Sequence, residues 1–389
     1  MADHPTTSDT RHLQGEPVLL LGGSGYLGRV TAARLLTTTD CSLLLPVRTH
    51  HQPDDVLAAI AAEEPDLELA TVRERVRVTG LPDDVVSLAR MARDAGVRGL
   101  LHAAGSVSYF DAEALQAGNE DLTRGALALG EELGVDWFTY LSTAFASGYR
   151  DGPIPEALHD APPEDPTDYT RSKRACEHLV ASSGLPTLIA RPSVVIGDSR
   201  TGHYSGRPYG IYQLWRGFER LLADRWQEEA HAIACDERLQ IVHQDHVADG
   251  LLAGLRSFSP GRILHLVGEP EHLPTVGEAW QLWFDHLVRP RVAHVHADLS
   301  AAEGWPMSTR QRLFLEFTAT NLAISSRAWD FVTDGLRRLG RPPGRADLAS
   351  LLRCQDAFVA ASPRLRAYRA VTPEPTPRAP EASSAHVLR

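Results

Sequence analysis

Cysteine is scarce in this chain. Cys41, Cys176, Cys235 and Cys354 are the only four among 389 residues, and no two form a Cys-x-x-Cys pair. That scatter argues against a disulfide framework and a cysteine-ligated zinc site, and it suits a reducing compartment. Long apolar runs are missing too: none approaches the roughly 18 residues a membrane-spanning helix needs. The first ten residues are polar and lack the apolar core of a signal peptide, so the expected location is the cytoplasm. A surplus of positive charge is also lacking. Lysine and arginine number 39 against 50 aspartates and glutamates, a formal net charge of -11, which argues against a general nucleic-acid-binding surface. No internal repeat is visible. What the chain does have is length and 43% hydrophobic residues, enough for two domains or one domain with a large insertion.

Pro17 to Leu21 is a short apolar run, the length of a buried strand. It leads into Gly22-Gly23-Ser24-Gly25-Tyr26-Leu27-Gly28 and then a helical pattern through Leu36. Strand, Gly-x-x-Gly-x-x-Gly turn and helix together form a dinucleotide-binding fingerprint. Gly22 permits the tight turn, Gly25 lets the backbone approach a pyrophosphate, and Gly28 lets the helix pack on the strand. Ser24, Tyr26 and Leu27 complete the loop that would cradle the anion at the helix N-terminus. A second strand over Ser42–Val47 ends at Arg48, about twenty residues past the last glycine. An NAD enzyme places an acid there for the ribose 2′-OH, whereas a guanidinium favours a 2′-phosphate, so NADP(H) is the expected cofactor.

Residues 52–70 and 83–95 read as helical, with a strand over Arg75–Thr79 between them. Gly99 to His102 is strand-like and runs into the small residues Ala103, Ala104 and Gly105, suited to close approach to a cofactor. Asn119 opens a helical stretch to Leu133. Phe138–Leu141 is the next strand and ends in Ser142-Thr143-Ala144, and Leu185–Arg191 is a sixth. This alternation predicts an α/β fold, a Rossmann-type doubly wound parallel sheet with a smaller, mostly helical C-terminal substrate domain. The cofactor domain spans 16–198, with 239–268 returning to it, and 199–238 with 269–368 form the substrate-binding region. Residues 1–15 and 369–389 read as disordered tails.

Between the fifth and sixth strands lies Tyr169-Thr170-Arg171-Ser172-Lys173. A phenol and an ammonium four residues apart share one helix face. The ammonium favours the phenolate and lowers the phenol's pKa, which makes Tyr169 a candidate proton donor near neutral pH. Thr143, at the carboxyl end of a strand, supplies a second hydroxyl where open α/β sheets bind ligands.

In order and approximate spacing, the glycine loop, Thr143 and the Tyr169/Lys173 pair resemble the extended short-chain dehydrogenase/reductase superfamily. His102–Phe110, Leu141–Gly148, Arg191–Gly202 and His265–Gly268 are similar to its thioester reductase and fatty acyl reductase branch, also called male-sterility-like. The resemblance implies an NADPH-dependent reduction of a carbonyl or acyl thioester. In it, Tyr169 transfers the proton, Thr143 hydrogen-bonds the reacting oxygen, and Lys173 lowers the Tyr169 pKa and holds the nicotinamide ribose. Pro192, Ser193 and Val195 would pass beside the carboxamide. Two departures concern the adenine side: Leu122 stands where the family usually has glycine, and Gly80-Leu81 lacks the usual acid. With no adenylation or carrier domain in the sequence, the substrate is expected free, as a coenzyme A ester, or on a separate carrier protein.

Rival readings remain. A ketoreductase or hydroxysteroid-type dehydrogenase, or a nucleotide-sugar epimerase or dehydratase, shares the triad, although Ala144 beside Thr143 lacks the acid a dehydratase uses. A non-catalytic NADP-binding sensor would not need all three catalytic residues. The pairs His243/His246 and His294/His296 suggest metal, but no acidic partner is placed by sequence and Asp245 reads as a helix N-cap, so no metal site is expected. Tyr204, Tyr209, Tyr212 and Trp215 read as core or pocket lining. A homodimer is left open, paired through residues 120–133 or around Tyr169.

Overall fold

Short, wholly apolar runs become the interior of a parallel sheet, because helices must then cover both faces. The computed structural model describes residue 13 and residues 15–82, 84–108 and 111–373. Among them thirteen strands form: β1 (Val18–Leu21), β2 (Leu43–Val47), β3 (Val76–Gly80), β4 (Gly99–His102), β5 (Trp137–Leu141), β6 (Pro153–Ile154), β7 (Thr187–Pro192), β8 (Val194–Ile196), β9 (Glu229–Ile233), β10 (Ile241–His243), β11 (Arg262–Leu266), β12 (Val292–His296) and β13 (Asp330–Phe331). Seven of these make the main sheet in the order β11-β7-β5-β4-β1-β2-β3, every pair parallel. The order reverses between β1 and β4, the switch point at whose carboxyl side such sheets bind ligands. The expected α/β Rossmann-type sheet is therefore present.

Helices pack on both sheet faces. Tyr26–Thr38 and Gln244–Arg256 lie on one side, with Leu35, Leu251 and Leu255 in its core. On the other side Val85–Asp94, Leu122–Leu133 and Asp168–Ser182 contribute Leu88, Leu129 and Val180. A second packed cluster lies in the C-terminal half, built on Tyr212, Trp215, Phe218, Trp283, Phe314 and Tyr368. Its Trp215 and Trp283 rings stack with centroids 5.5 Å apart.

One charged pair sits inside the fold. Arg191, on β7, grips both carboxylate oxygens of Glu177, on the helix Asp168–Ser182, at 2.8 and 2.6 Å. Both side chains have no exposed surface. Arg191 also donates to the Ala157 carbonyl and lies 3.3 Å from His265. His265 in turn faces the Val332 carbonyl at 2.8 Å.

Several local expectations change. The 52–70 helix is two, Pro53–Ala61 and Leu69–Arg75. Glu63 turns inward to bond Arg29 at 2.9 Å, and Pro65 does not continue a helix. Leu13 is buried in the sheet's core, so residues 1–15 are not uniformly loose. Helix Pro363–Val371 carries order past residue 368, with Arg369 bonded to Asp356 at 2.8 Å. The rest of the two expected tails, residues 1–12, 14 and 374–389, lies outside the described residues. Within 269–368 there are two strands among the helices, β12 and β13. Asp245 is not an N-cap: His243 holds that position, and the Asp245 carboxylate instead accepts from Ser199 N and Oγ at 2.9 and 2.6 Å.

Candidate active site

The glycine loop follows β1 at the switch point. Gly22 has φ +87°, and a Cβ there would stand 2.5 Å from Ala104 N. A Cβ on Gly28 would stand 2.1 Å from Gly22 O. Both positions therefore require glycine, as a turn under a dinucleotide does. Gly25 caps the helix Tyr26–Thr38 without a side-chain bond, which leaves first-turn N–H groups for an anion. Arg29 holds the loop from behind, donating to Ser24 O at 3.0 Å and to Glu63 at 2.9 Å. Ser24 Oγ lies 3.4 Å from His51 Nε2. Leu27 packs against the sheet's core, and Tyr26 donates its hydroxyl to Gln244 at 2.7 Å with its ring 4.7 Å from that of Tyr204. Burial pushes the Tyr26 phenol well above its ordinary pKa, so it stays a neutral donor. Arg48 is exposed at the end of β2, with no carboxylate partner among the described residues.

Across the switch point, Ala103 N donates to Leu21 O at 2.9 Å, which lays Ala103 and Ala104 against the end of β1. Gly105 passes so close to Asn119 that a Cβ would meet its Oδ1 at 2.8 Å. Asn119 does not open its helix. It sits in a π turn, Gln116–Asp121, between the helices Ala112–Leu115 and Leu122–Leu133. Such turns re-aim side chains. Here the Asn119 amide accepts from Ser106 N and donates to Ser172 Oγ, each at 2.8 Å. One side chain thereby ties the loop after β4 to the helix Asp168–Ser182.

That helix starts with a capping box between Thr167 and Thr170. Tyr169, partly buried in its first turn, and Lys173, buried one turn on, share a face. Lys173 Nζ donates to Leu141 O at 2.8 Å and stands 4.3 Å over the Tyr140 ring. Burial lowers the Lys173 pKa to about 8, and burial, with Lys173 adding to it, lowers that of His102 to about 3. Thr143 lies two residues beyond the carbonyl that receives Lys173, and its hydroxyl donates to Pro192 O at 3.3 Å. Ser193 N is bonded to Leu266 O, its hydroxyl is buried without a partner, and Val195 pairs with Val242 between β8 and β10. Thr143, Lys173, Pro192 and Ser193 thus gather at the carboxyl ends of β5 and β7. Tyr109 and Phe110, within one of the family-like stretches, lie outside the described residues.

Val194 is one wall of an apolar hollow of about 40 Å³. Trp215, Leu239, Trp280, Trp283 and Leu322 are among its walls. Of the four aromatics singled out by sequence, Trp215 lines it. Tyr212 is core, stacked on Tyr204 at 3.8 Å and accepting from Gly197 N. Sequence reasoning missed Arg29, Ser172 and Gln244 as supports. Only Ser172 carried a signal, its place inside the Tyr169–Lys173 motif; the others act across 34 to 218 residues of chain.

The family profile described as Male sterility protein matches residues 20–251. The isonitrile lipopeptide synthase of Streptomyces coeruleorubidus is 28% identical over 233 residues, 54% of this chain and 15% of that protein. The chain thus spans a small part of that relative's length. Among solved structures, the terminal R domain of the myxalamid PKS-NRPS pathway superposes with a TM-score of 0.69 at 21% identity, covering 89% of this chain and 91% of that one. A thiolation-reductase di-domain from an archaeal non-ribosomal peptide synthetase gives 0.63 at 16% identity, covering 89% and 76%. At such identities the structural likeness speaks for the fold. No described helix is long and apolar enough to cross a membrane. The chain belongs to the male sterility protein family, a thioester-reductase-like branch of the NAD(P)-binding extended short-chain dehydrogenase/reductase oxidoreductases.

Proposed function

We propose that this protein is an NADPH-dependent reductase of an acyl thioester held on a carrier protein or on coenzyme A. The observation that carries the reading is the seat of Lys173. Its ammonium is tethered to Leu141 O, two residues before Thr143 and one helical turn from Tyr169, and Val194, next in the chain after Pro192 and Ser193, lines an apolar hollow. The similarity to a lipopeptide synthase and to a reductase joined to a thiolation domain supports a carrier-bound acyl group. Residues 199–238 and 269–368 form the substrate-binding region in this reading.

The loop at Gly22, Ser24, Gly25, Tyr26, Leu27 and Gly28 would hold the pyrophosphate, Arg48 the 2′-phosphate, and Ala103 to Gly105 the adenosine side. Lys173 would hold the nicotinamide ribose, and Pro192, Ser193 and Val195 would flank the carboxamide. When bound, NADPH supplies the hydride to the thioester carbon. Tyr169 gives its proton to the developing oxyanion, and Thr143 turns its hydroxyl from Pro192 O to donate to the same oxygen. Collapse of the tetrahedral adduct returns the hydroxyl proton to the Tyr169 phenolate as the carbon–sulfur bond breaks, and the departing thiolate takes a proton from solvent, leaving an aldehyde and a thiol. Loss of NADPH absorbance with acyl-carrier and acyl-coenzyme A substrates, compared with ketones and nucleotide sugars, tests the reading. Turnover of only the latter two overturns it.

Arg48→Asp should move the cofactor preference from NADPH toward NADH by about tenfold or more, roughly 1.4 kcal/mol, since a carboxylate repels the 2′-phosphate and accepts from a 2′-OH. Titrating nicotinamide fluorescence with each cofactor checks this, and an unchanged NADPH affinity rejects the assignment of Arg48. A pH profile gives a second check. The ammonium of Lys173 is lost as pH rises through about 8, well below where a free lysine titrates. With both Lys173 and Tyr169 needed in protonated form, kcat/KM for reduction should be level on the acid side and fall above about pH 8. A profile flat to about pH 10 contradicts this role for Lys173.

A further inference from the structure

Strand β12 lies parallel to β9 with His294 directly opposite His231, Val292 opposite Glu229, and His296 opposite Ile233. Alternate residues of a strand share a face, so this register puts Glu229, His231, His294 and His296 on one side of a two-stranded ribbon. Their rings are stacked: His231 and His294 have centroids 4.7 Å apart, and His231 and His296 are 5.4 Å apart. One ligating atom each from Glu229, His231 and His294 falls within 4.8 Å of the others. We propose that this ribbon is a divalent metal site of the zinc class, with Glu229, His231 and His294 as ligands and a fourth position open to water.

His231 is the fixed point of the cluster. Its Nδ1 lies 3.1 Å from His296 Nε2, which leaves Nε2 as the nitrogen for an ion. That Nε2 is buried and has no hydrogen-bond partner, a cost that coordination would remove. His296 is itself held by a backbone hydrogen bond at Ala301. So held, His296 can accept at Nε2 from His231 Nδ1–H and fix the His231 tautomer, as the outer contact of a ligating histidine does.

The other two ligands can move. Glu229 is exposed and His294 partly so, and their nearest atoms, His294 Nε2 and Glu229 Oε2, are 3.8 Å apart. Ligand atoms about 2.0–2.1 Å from a tetrahedral zinc lie about 3.4 Å from each other, so small rotations of these two side chains close the site around His231. Two histidines, a carboxylate and an open position match the donor set of zinc and of the neighbouring first-row ions. A histidine stack alone would explain the rings, but not the carboxylate in register with them. The site is separate from Tyr169 and Lys173, but it braces the hollow: Trp280, one of that hollow's walls, donates its ring N–H to Ile233 O on β9 at 2.8 Å.

The test uses the untagged full chain, stripped with chelator and then titrated calorimetrically with zinc at pH 7.5. One equivalent should bind, with a rise in thermal midpoint. Cobalt in its place should give visible d–d bands and quench the fluorescence of Trp305, whose ring is 4.6 Å from that of His294. Trp305→Phe should remove that part of the quenching. Glu229→Gln and His294→Ala change side chains at the surface and should leave the apo fold intact by circular dichroism. Each should weaken zinc binding by more than the roughly 10–100-fold expected of His296→Gln, an outer-shell loss. Absence of saturable zinc binding at micromolar concentrations overturns the proposal. So does binding that is unchanged in the Glu229→Gln/His294→Ala double variant. Neither outcome depends on the reductase reading, because no readout uses turnover.

Discussion

Replacing Tyr169 by phenylalanine should lower kcat by roughly 10²–10⁴-fold, the range a positioned general acid contributes, and leave NADPH affinity within a few-fold of the parent. The substitution removes one oxygen from a partly buried side chain in the first turn of a capped helix, so the fold has little reason to change. Lys173 keeps its bond to Leu141 O, and the glycine loop is untouched. An effect confined to kcat would separate proton transfer from cofactor binding. Single-turnover NADPH oxidation, paired with nicotinamide fluorescence for affinity, measures both. A variant that turns over at the parent rate removes Tyr169 from the reaction, and one that no longer binds NADPH makes its role structural.

The largest effect on stability should come from Arg191→Met. Removing one member of a fully buried pair strands the other, which costs about 3–5 kcal/mol against a typical total of roughly 5–15. Arg191→Met/Glu177→Leu should recover most of the loss, since a well-packed apolar pair of similar volume often matches a buried ion pair. Urea midpoints of the parent, single and double variants give the comparison. A single variant within about 1 kcal/mol of the parent would mean the pair contributes little.

The sheet was legible because its signals are local. Val18–Leu21 is apolar throughout, Trp137–Leu141 is apolar but for Thr139, and glycines stand where a Cβ would collide. Tyr169 and Lys173 were legible because helical spacing alone places them on one face. What was not legible depends on partners remote in sequence. Glu63 ends its helix by turning to Arg29, Asp245 leaves the capping role for Ser199, and Asn119 bridges two segments from a π turn that no propensity announces. The histidine ribbon shows this most clearly. His294 and His296 were visible as an alternating pair, but Glu229 and His231 join them only through a strand register set 63 residues away.

Separate packing of the sheet and of the tryptophan-rich cluster has a consequence for how such a protein diversifies. The strand ends at Thr143 and Pro192 and the helix that carries Lys173 rest on the sheet's own cores, whereas Trp215, Leu239, Trp280 and Trp283 belong to the other cluster. In the proposed reading, drift in the hollow's walls would re-tailor which acyl chain fits while the residues at the strand ends stay put, so that one reaction serves as a reusable cassette.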